Sequence, residues 1–332
     1  MRSAVHRTRL ALAMRPPIGY LAALVLVLSP AILHAQSAAR NALAMFPADT
    51  QQIVYIGLAQ LRAMPEYLEI RQQLALRQLL EFQDFLRSAG MDPEKEIDEL
   101  VLGWRGETLG GASFFGLAEG RFDTHRLHRF FVQQQLPIRE YDGYELYAFG
   151  SGGNVPFSYF TFLSSSTAAF GRRDDLRALL DVRDGARRAL DKNPALVEWE
   201  AELEGTSPQW GVSIGRAATN HAAPWMAAGA NLVVDPSVFA GFVLAVLYRV
   251  DWGSVTTTHV SMVCHTTESA AALSALVKLW RDSSVEATFK LLPAPIVTML
   301  TTMEIESAGN RILLTASVPL EAIEQIVRGT AR

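Results

Sequence analysis

The sequence predicts an α+β protein in which antiparallel sheets carry helices on one face, arranged as two ferredoxin-like modules of split β-α-β style. Three observations carry that expectation. The stretch Gly111–Leu180 reads strand, helix, hairpin, two strands, helix. Inside it, Asp142-Gly143 separates the alternating runs IREY and YELYAF, the pattern of a two-residue hairpin that needs positive φ at its turn. The last third then repeats strand, helix, helix, hairpin, helix.

At the N-terminus, Arg2, Arg7, Arg9 and Arg15 form a basic region without an acidic residue, followed by the apolar run Tyr20–Leu28 and by Leu33-His34-Ala35. This is the pattern of a secretory signal peptide, with cleavage expected after Ala35 and an uncleaved anchor as the alternative. The apolar core is shorter than the ~20 residues a spanning helix needs. No Arg-Arg pair sits in the basic region, and the lone cysteine, Cys264, is too distant to carry a lipid at the cleavage site. Periplasmic or secreted localisation is therefore expected. Removing four arginines from the 30 basic residues leaves 26 against 34 acidic ones, a net charge of −8. Such a chain has no electrostatic footprint for nucleic acid. The remaining 297 residues suffice for a large core, divided into modules at 36–215 and 216–332. One cysteine permits no internal disulfide, so packing must stabilise the fold.

The mature chain opens with the turn Phe46–Thr50 and a short strand, Gln52–Leu58. A helical pattern follows over Ala59–Ala89, interrupted at Pro65 and ended by Gly90. Asp92-Pro93-Glu94 starts a short helical turn, and Ile97–Trp104 is a strand. Asp123 is placed to cap the helix Asp123–Gln135, whose Leu127, Phe130, Phe131 and Gln134 share a face. Further strands are expected at Ser158–Leu163, Thr167–Phe170 and Gln209–Ile214, and helices at Arg172–Leu180 and from Asn193-Pro194 to Glu204. Arg216–Asn231 reads as an Ala-rich helix broken at Pro224. Val238–Tyr248 reads as a buried helix, eleven residues being too few to span a bilayer. Ser254–Thr266 alternates, with Val260, Met262 and Cys264 on one face. Glu268–Trp280 is a helix expected to turn Leu273, Leu276, Val277 and Trp280 inward. A helix around Pro295–Met303 and a hairpin turning at Gly309-Asn310 follow, and a terminal helix begins at Pro319.

Each polar cluster has a structural explanation. His125 and His128 stand three apart on a helix that also carries Arg126 and Arg129, and zinc requires three or four ligands. His259 and His265 share a strand face with Ser261, as a surface ladder does, and Cys264 falls on the apolar face as a buried thiol. Gly150–Asn154 joins two strands and no Lys follows it, unlike a phosphate loop. Ser164-Ser165-Ser166 fits a turn, Asp174-Asp175 suits a helix N-terminus, and Glu198, Glu200, Glu202 and Glu204 spread around their helix. The sequence accordingly nominates no catalytic, cofactor-binding or metal-binding residue and no cofactor.

Phe46-Pro47-Ala48-Asp49-Thr50, Met91–Asp98 (MDPEKEID) and Gly120-Arg121-Phe122-Asp123 resemble landmarks of uncharacterised exported bacterial proteins, a domain-of-unknown-function family whose mature part opens with a Pro-Ala-Asp-Thr motif. That resemblance implies a cell-envelope protein of α+β modules with no catalytic residues to carry over. The expected function is a non-enzymatic binding or structural module of the envelope with an unknown protein or hydrophobic partner. One alternative is a carrier holding a lipid or other hydrophobic ligand in a cavity lined by Phe114, Phe115, Tyr159, Phe160 and Phe162. A second is an enzyme whose cleft is assembled from distant residues, and a third is peripheral membrane contact through 238–248.

Overall fold

The computed structural model describes residues 37–73, 77–105, 114–149, 158–203, 205–220, 241–288 and 294–323. Residues 1–35, read as a signal segment, Gly150–Asn154, Pro224 and residues 324–332, where the terminal helix is expected to continue, therefore lie outside the described residues. In chain order the elements are α1 (Ser37–Met45), β1 (Gln52–Ile56), α2 (Leu58–Arg62), α3 (Tyr67–Gln73), α4 (Arg77–Ser88), α5 (Pro93–Glu96) and β2 (Ile97–Trp104). Next come β3 (Phe115–Gly120), α6 (Thr124–Gln133), β4 (Ile138–Tyr141), β5 (Tyr144–Phe149), β6 (Ser158–Phe162), β7 (Thr167–Arg172), α7 (Arg173–Arg183) and α8 (Pro194–Leu203). The last are β8 (Gln209–Ile214), β9 (Val243–Asp251), β10 (Val255–Cys264), α9 (Thr267–Thr288), α10 (Ala294–Thr302), β11 (Glu304–Ala308) and β12 (Arg311–Pro319).

The twelve strands among the described residues join one antiparallel sheet in the order β11-β12-β10-β9-β8-β1-β2-β3-β7-β6-β5-β4. The sheet runs without interruption past residue 215, because β8 pairs with β1 on one side and β9 on the other. Both wings follow one plan. From β3 the chain crosses through α6 to the parallel edge strand β4, and β5, β6 and β7 fill the gap between them. From β10 it crosses through α9 and α10 to β11, parallel to β10, and β12 fills that gap.

The helices cover both faces, which corrects the expected one-sided coat. In β1 every residue from Ile53 to Ile56 is buried: Val54 and Ile56 face a front core, Ile53 and Tyr55 a back core. Leu100, Val101 and Leu102 of β2 divide the same way. Strands that are apolar on both sides need cover on both sides. Leu61, Ile70, Leu86, Leu127 and Phe131 supply it in front, from α2, α3, α4 and α6. At the back it comes from Ala38, Ala39 and Ala42 of α1, Leu176 and Leu179 of α7, and Leu196 and Leu203 of α8. In the second wing, Leu273 and Val277 of α9 and Leu300 of α10 pack on Val246, Val260, Met262, Ile312 and Leu314. Strand register puts that cluster on the front face too.

Three further readings change. Val243–Tyr248, expected in a buried helix, is most of β9; a central strand buried on both faces is a continuous apolar run that periodicity cannot separate from a helix. Leu276 is 38% exposed because the inward stripe of α9 is Ala270, Leu273, Ser274 and Val277. The helical pattern over 59–89 resolves into α2, α3 and α4, with the first break beside Pro65 as expected. Helix α1 was not anticipated; its buried alanines give a weak periodic signal. The hairpin turn is as expected, with φ of +46° at Asp142 and +82° at Gly143.

The three sequence landmarks are structural joints. Thr50 donates from both its amide and its hydroxyl to the Pro47 carbonyl, at 3.0 and 2.6 Å, closing the Pro-Ala-Asp-Thr turn. Asp92 caps α5 by accepting from the Glu94 amide, and the Glu96 carbonyl then accepts from the Arg121 amide at 2.7 Å. A Cβ at Gly120 would lie 1.8 Å from that same carbonyl oxygen, so the joint requires glycine.

Candidate functional site

The first wing holds an open groove of about 630 Å³ between the start of α6, the β4–β5 hairpin and the turn after β6. Each wall has a local cause. Asp123 caps α6 by accepting from the Arg126 amide at 2.9 Å, and Leu127 and Phe131 anchor the helix in the front core. That rotation leaves His125 exposed and His128 half-buried against the sheet. On β5, Glu145 and Tyr147 are two residues apart and so share the front face. Register sets Tyr147 opposite Phe160, with the rings stacked 5.2 Å apart. The third wall is the Ser164–Ser166 turn, where the Ser164 hydroxyl oxygen accepts from the amides of Ser166 and Thr167.

Three side chains converge in this groove. Tyr147 Oη donates to Glu145 Oε2 at 2.5 Å, and His128 Nδ1 lies 3.2 Å from both Glu145 Oε2 and Tyr147 Oη. Burial, and then the bond to the Glu145 carboxylate, push the Tyr147 phenol well above the usual tyrosine range, so it stays protonated. His128 and Glu145 keep 44% and 52% of their side-chain surface exposed, so both remain accessible to a ligand. Among the described residues no lysine or arginine lines the groove itself; the nearby Arg183 guanidinium stacks over the Tyr144 ring at 5.5 Å and donates to the Leu163 carbonyl at 3.4 Å. A buried phenol, a carboxylate, an imidazole and several hydroxyls can orient a small polar ligand by hydrogen bonds, and the half-buried ring of Phe162 adds an apolar contact.

The remaining polar residues fall elsewhere. His259 Nε2 lies 3.1 Å from Asp251 Oδ2 and its Nδ1 3.4 Å from Thr315 Oγ1, within a half-exposed ladder on the back of the second wing. Cys264 is buried, and burial pushes its thiol up and away from reactivity. Asp175 is not a simple surface charge at a helix start, because its buried carboxylate pairs with Arg105. Glu202 takes both Arg311 nitrogens, at 2.6 and 2.9 Å, away from buried Glu200. Among the described residues no group of three or more His, Cys, Asp or Glu could hold a metal ion. No described helix is long and apolar enough to cross a membrane.

The sequence named His128 but missed Glu145 and Tyr147. Strand alternation puts those two on one face, yet only the packing of α6 over β5 brings the histidine to them. No protein-family model and no curated protein matches the chain. One solved structure, titled "Structure of crystal form I of TP0453", aligns over 86% of this chain and 96% of its own, at 9% identity and a TM-score of 0.48. That likeness carries no functional argument.

Proposed function

We propose that this is an exported protein of the bacterial cell envelope that acts as a binding module, with the α6–β5 groove as its ligand site. The observation that carries the reading is the convergence of His128, Glu145 and Tyr147 in an open groove of about 630 Å³, inside the range of about 300–1,000 Å³ typical of small-molecule sites. Export rests on the basic region and apolar run of residues 1–35, and kinship with exported α+β families on the three landmark motifs. Each wing is read as a variant of the split β-α-β unit, in which one or more returning strands enter the gap left by the crossover.

A hydrophobic carrier draws less support. The aromatics it would use are spent on packing: Phe160 contacts Phe85, Phe131, Tyr147, Phe149 and Phe162, and Phe115 packs edge-on to Phe46 at 4.7 Å. Membrane contact through 238–248 is likewise weakened, since Val243, Ala245, Val246 and Leu247 are buried in the sheet.

Two measurements test the proposal. N-terminal sequencing of the exported protein should begin at Gln36. The small-molecule fraction of the periplasm should raise the melting temperature by a few degrees, and Ser165→Trp, which fills the groove, should abolish the rise. A rise that survives Ser165→Trp would place the ligand elsewhere, and no rise at all would contradict a small-molecule site.

A further inference from the structure

We propose that the groove recognises a neutral, hydroxyl-rich ligand of the carbohydrate class, through an imidazole locked so that His128 Nε2 is a hydrogen-bond acceptor. This inference rests on the binding reading above and adds the ligand's chemistry.

Proton placement carries it. A carboxylate only accepts, so the short contact between Tyr147 Oη and Glu145 Oε2 is a bond donated by the phenol. With that proton committed, Tyr147 Oη offers His128 only lone pairs, and Glu145 Oε2 likewise. Both atoms lie 3.2 Å from Nδ1, so Nδ1 faces two acceptors and must carry the hydrogen. A neutral imidazole protonated at Nδ1 has a bare Nε2. No described residue hydrogen-bonds to that nitrogen, and the side chain is 44% exposed.

The lining then selects among ligand classes. A phosphate or carboxylate would meet the Glu145 charge, and the neighbouring Arg183 guanidinium is already held over the Tyr144 ring and on the Leu163 carbonyl. An acyl chain would strip water from Glu145 and His128 without replacing their hydrogen bonds. An ammonium group can pair with Glu145 and donate to the serine oxygens, but it leaves the serine O–H groups without an acceptor and has no apolar face to set against Phe162. A sugar hydroxyl donates to Nε2 and accepts from serine at once, and the apolar face of a sugar ring suits the half-buried Phe162.

The test uses protein exported from the full-length chain. Long-range nitrogen–proton NMR of the free protein should find neutral His128 as the Nδ1–H tautomer. Calorimetry with cellobiose, maltotriose and chitotriose should detect binding of at least one, with glucose 6-phosphate and spermidine bound more weakly. Glu145→Leu, which removes the acceptor that both His128 and Tyr147 use, should weaken binding of that sugar about tenfold or more. Circular dichroism checks that each variant folds. An Nε2–H tautomer in the parent protein overturns the inference without any variant. So does tighter binding of spermidine or the phosphorylated sugar, or no saccharide binding at about 10 mM, a concentration that reveals millimolar affinity. In these last cases the groove itself still stands if Ser165→Trp abolishes the stabilisation by periplasmic extract, so the two readings fail separately.

Discussion

Glu119 of β3 is only 9% exposed and accepts from Asn41 Nδ2 at 2.9 Å and from Thr167 Oγ1 at 2.9 Å. Burial raises its pKa above the ordinary 4.5, although both hydrogen bonds oppose the shift. A carboxyl whose native pKa is raised holds its proton longer in the folded state than in the unfolded one. The contribution of Glu119 to stability is then greatest below about pH 4.5 and falls as pH rises through its native value. Glu119→Gln removes that decline, so its urea midpoint should gain on the parent's between about pH 4.5 and pH 7.5, and equal slopes would show that burial does not govern the group. Asp175 makes a different prediction. Arg105 Nε donates to its Oδ1 at 3.1 Å and Nη2 adds a shorter bond, while the Arg105 and Asp175 side chains keep only 22% and 5% exposure. Asp175→Ala leaves a largely buried guanidinium short of its main partner and should cost about 3 kcal/mol in urea unfolding; a loss below about 1 kcal/mol would show that Asp49, 3.7 Å away, replaces it. At this scale the sequence was legible for residues with local roles: Asp123 as a cap and Cys264 as a buried thiol. It was not legible for Asp175 or His128, whose partners lie 70 and 17 residues away in the chain.

Elements with a short-range signature were read well, because hairpin and cap chemistry is local. Asp142-Gly143 adopts the positive φ its dipeptide implies, and no atom lies within 4 Å of where a Gly143 Cβ would stand. Gly143→Ala should therefore cost only about 1 kcal/mol, the conformational penalty without a clash. Gly211 is the opposite case. Strand register lays the Tyr248 ring across it, and a Cβ there would come within 2.5 Å of a ring carbon. Gly211→Ala should cost more, about 2–3 kcal/mol, by displacing that ring, and equal losses for the two variants would contradict this packing. What failed at this scale was a long-range property. Val238–Tyr248 reads as a helix until β8 and β10 are known to flank it, since burial on two faces removes the alternation that marks a strand. The coat on both faces was missed for the same reason: Ile53–Ile56 is apolar throughout, and the sequence gives no sign of which face each helix covers.

At the scale of the whole molecule, the two wings share a plan but not separate sheets. β8 is paired on both sides, so cutting the chain at 215 would expose the edge of a strand carrying buried Trp210 and Val212. The protein should unfold in one transition that far-ultraviolet circular dichroism and tryptophan fluorescence report together, and a 36–215 fragment should self-associate. Two separated transitions would show that the wings fold independently. The outer edges are protected differently: β4 and β11 are four and five residues long and carry Arg139, Glu140, Glu304 and Glu306, as edge strands that avoid further pairing do. The sheet is thus one continuous frame, and the groove sits near its β4 end, where α6 crosses over the strands. The most direct test of that proposal is hydrogen–deuterium exchange of the protein with and without a periplasmic small-molecule extract. Protection confined to residues 124–128, 143–147 and 161–165 is the predicted result. Protection instead along the polar ladder of β10 and β12, around His259 and Thr315, would contradict it.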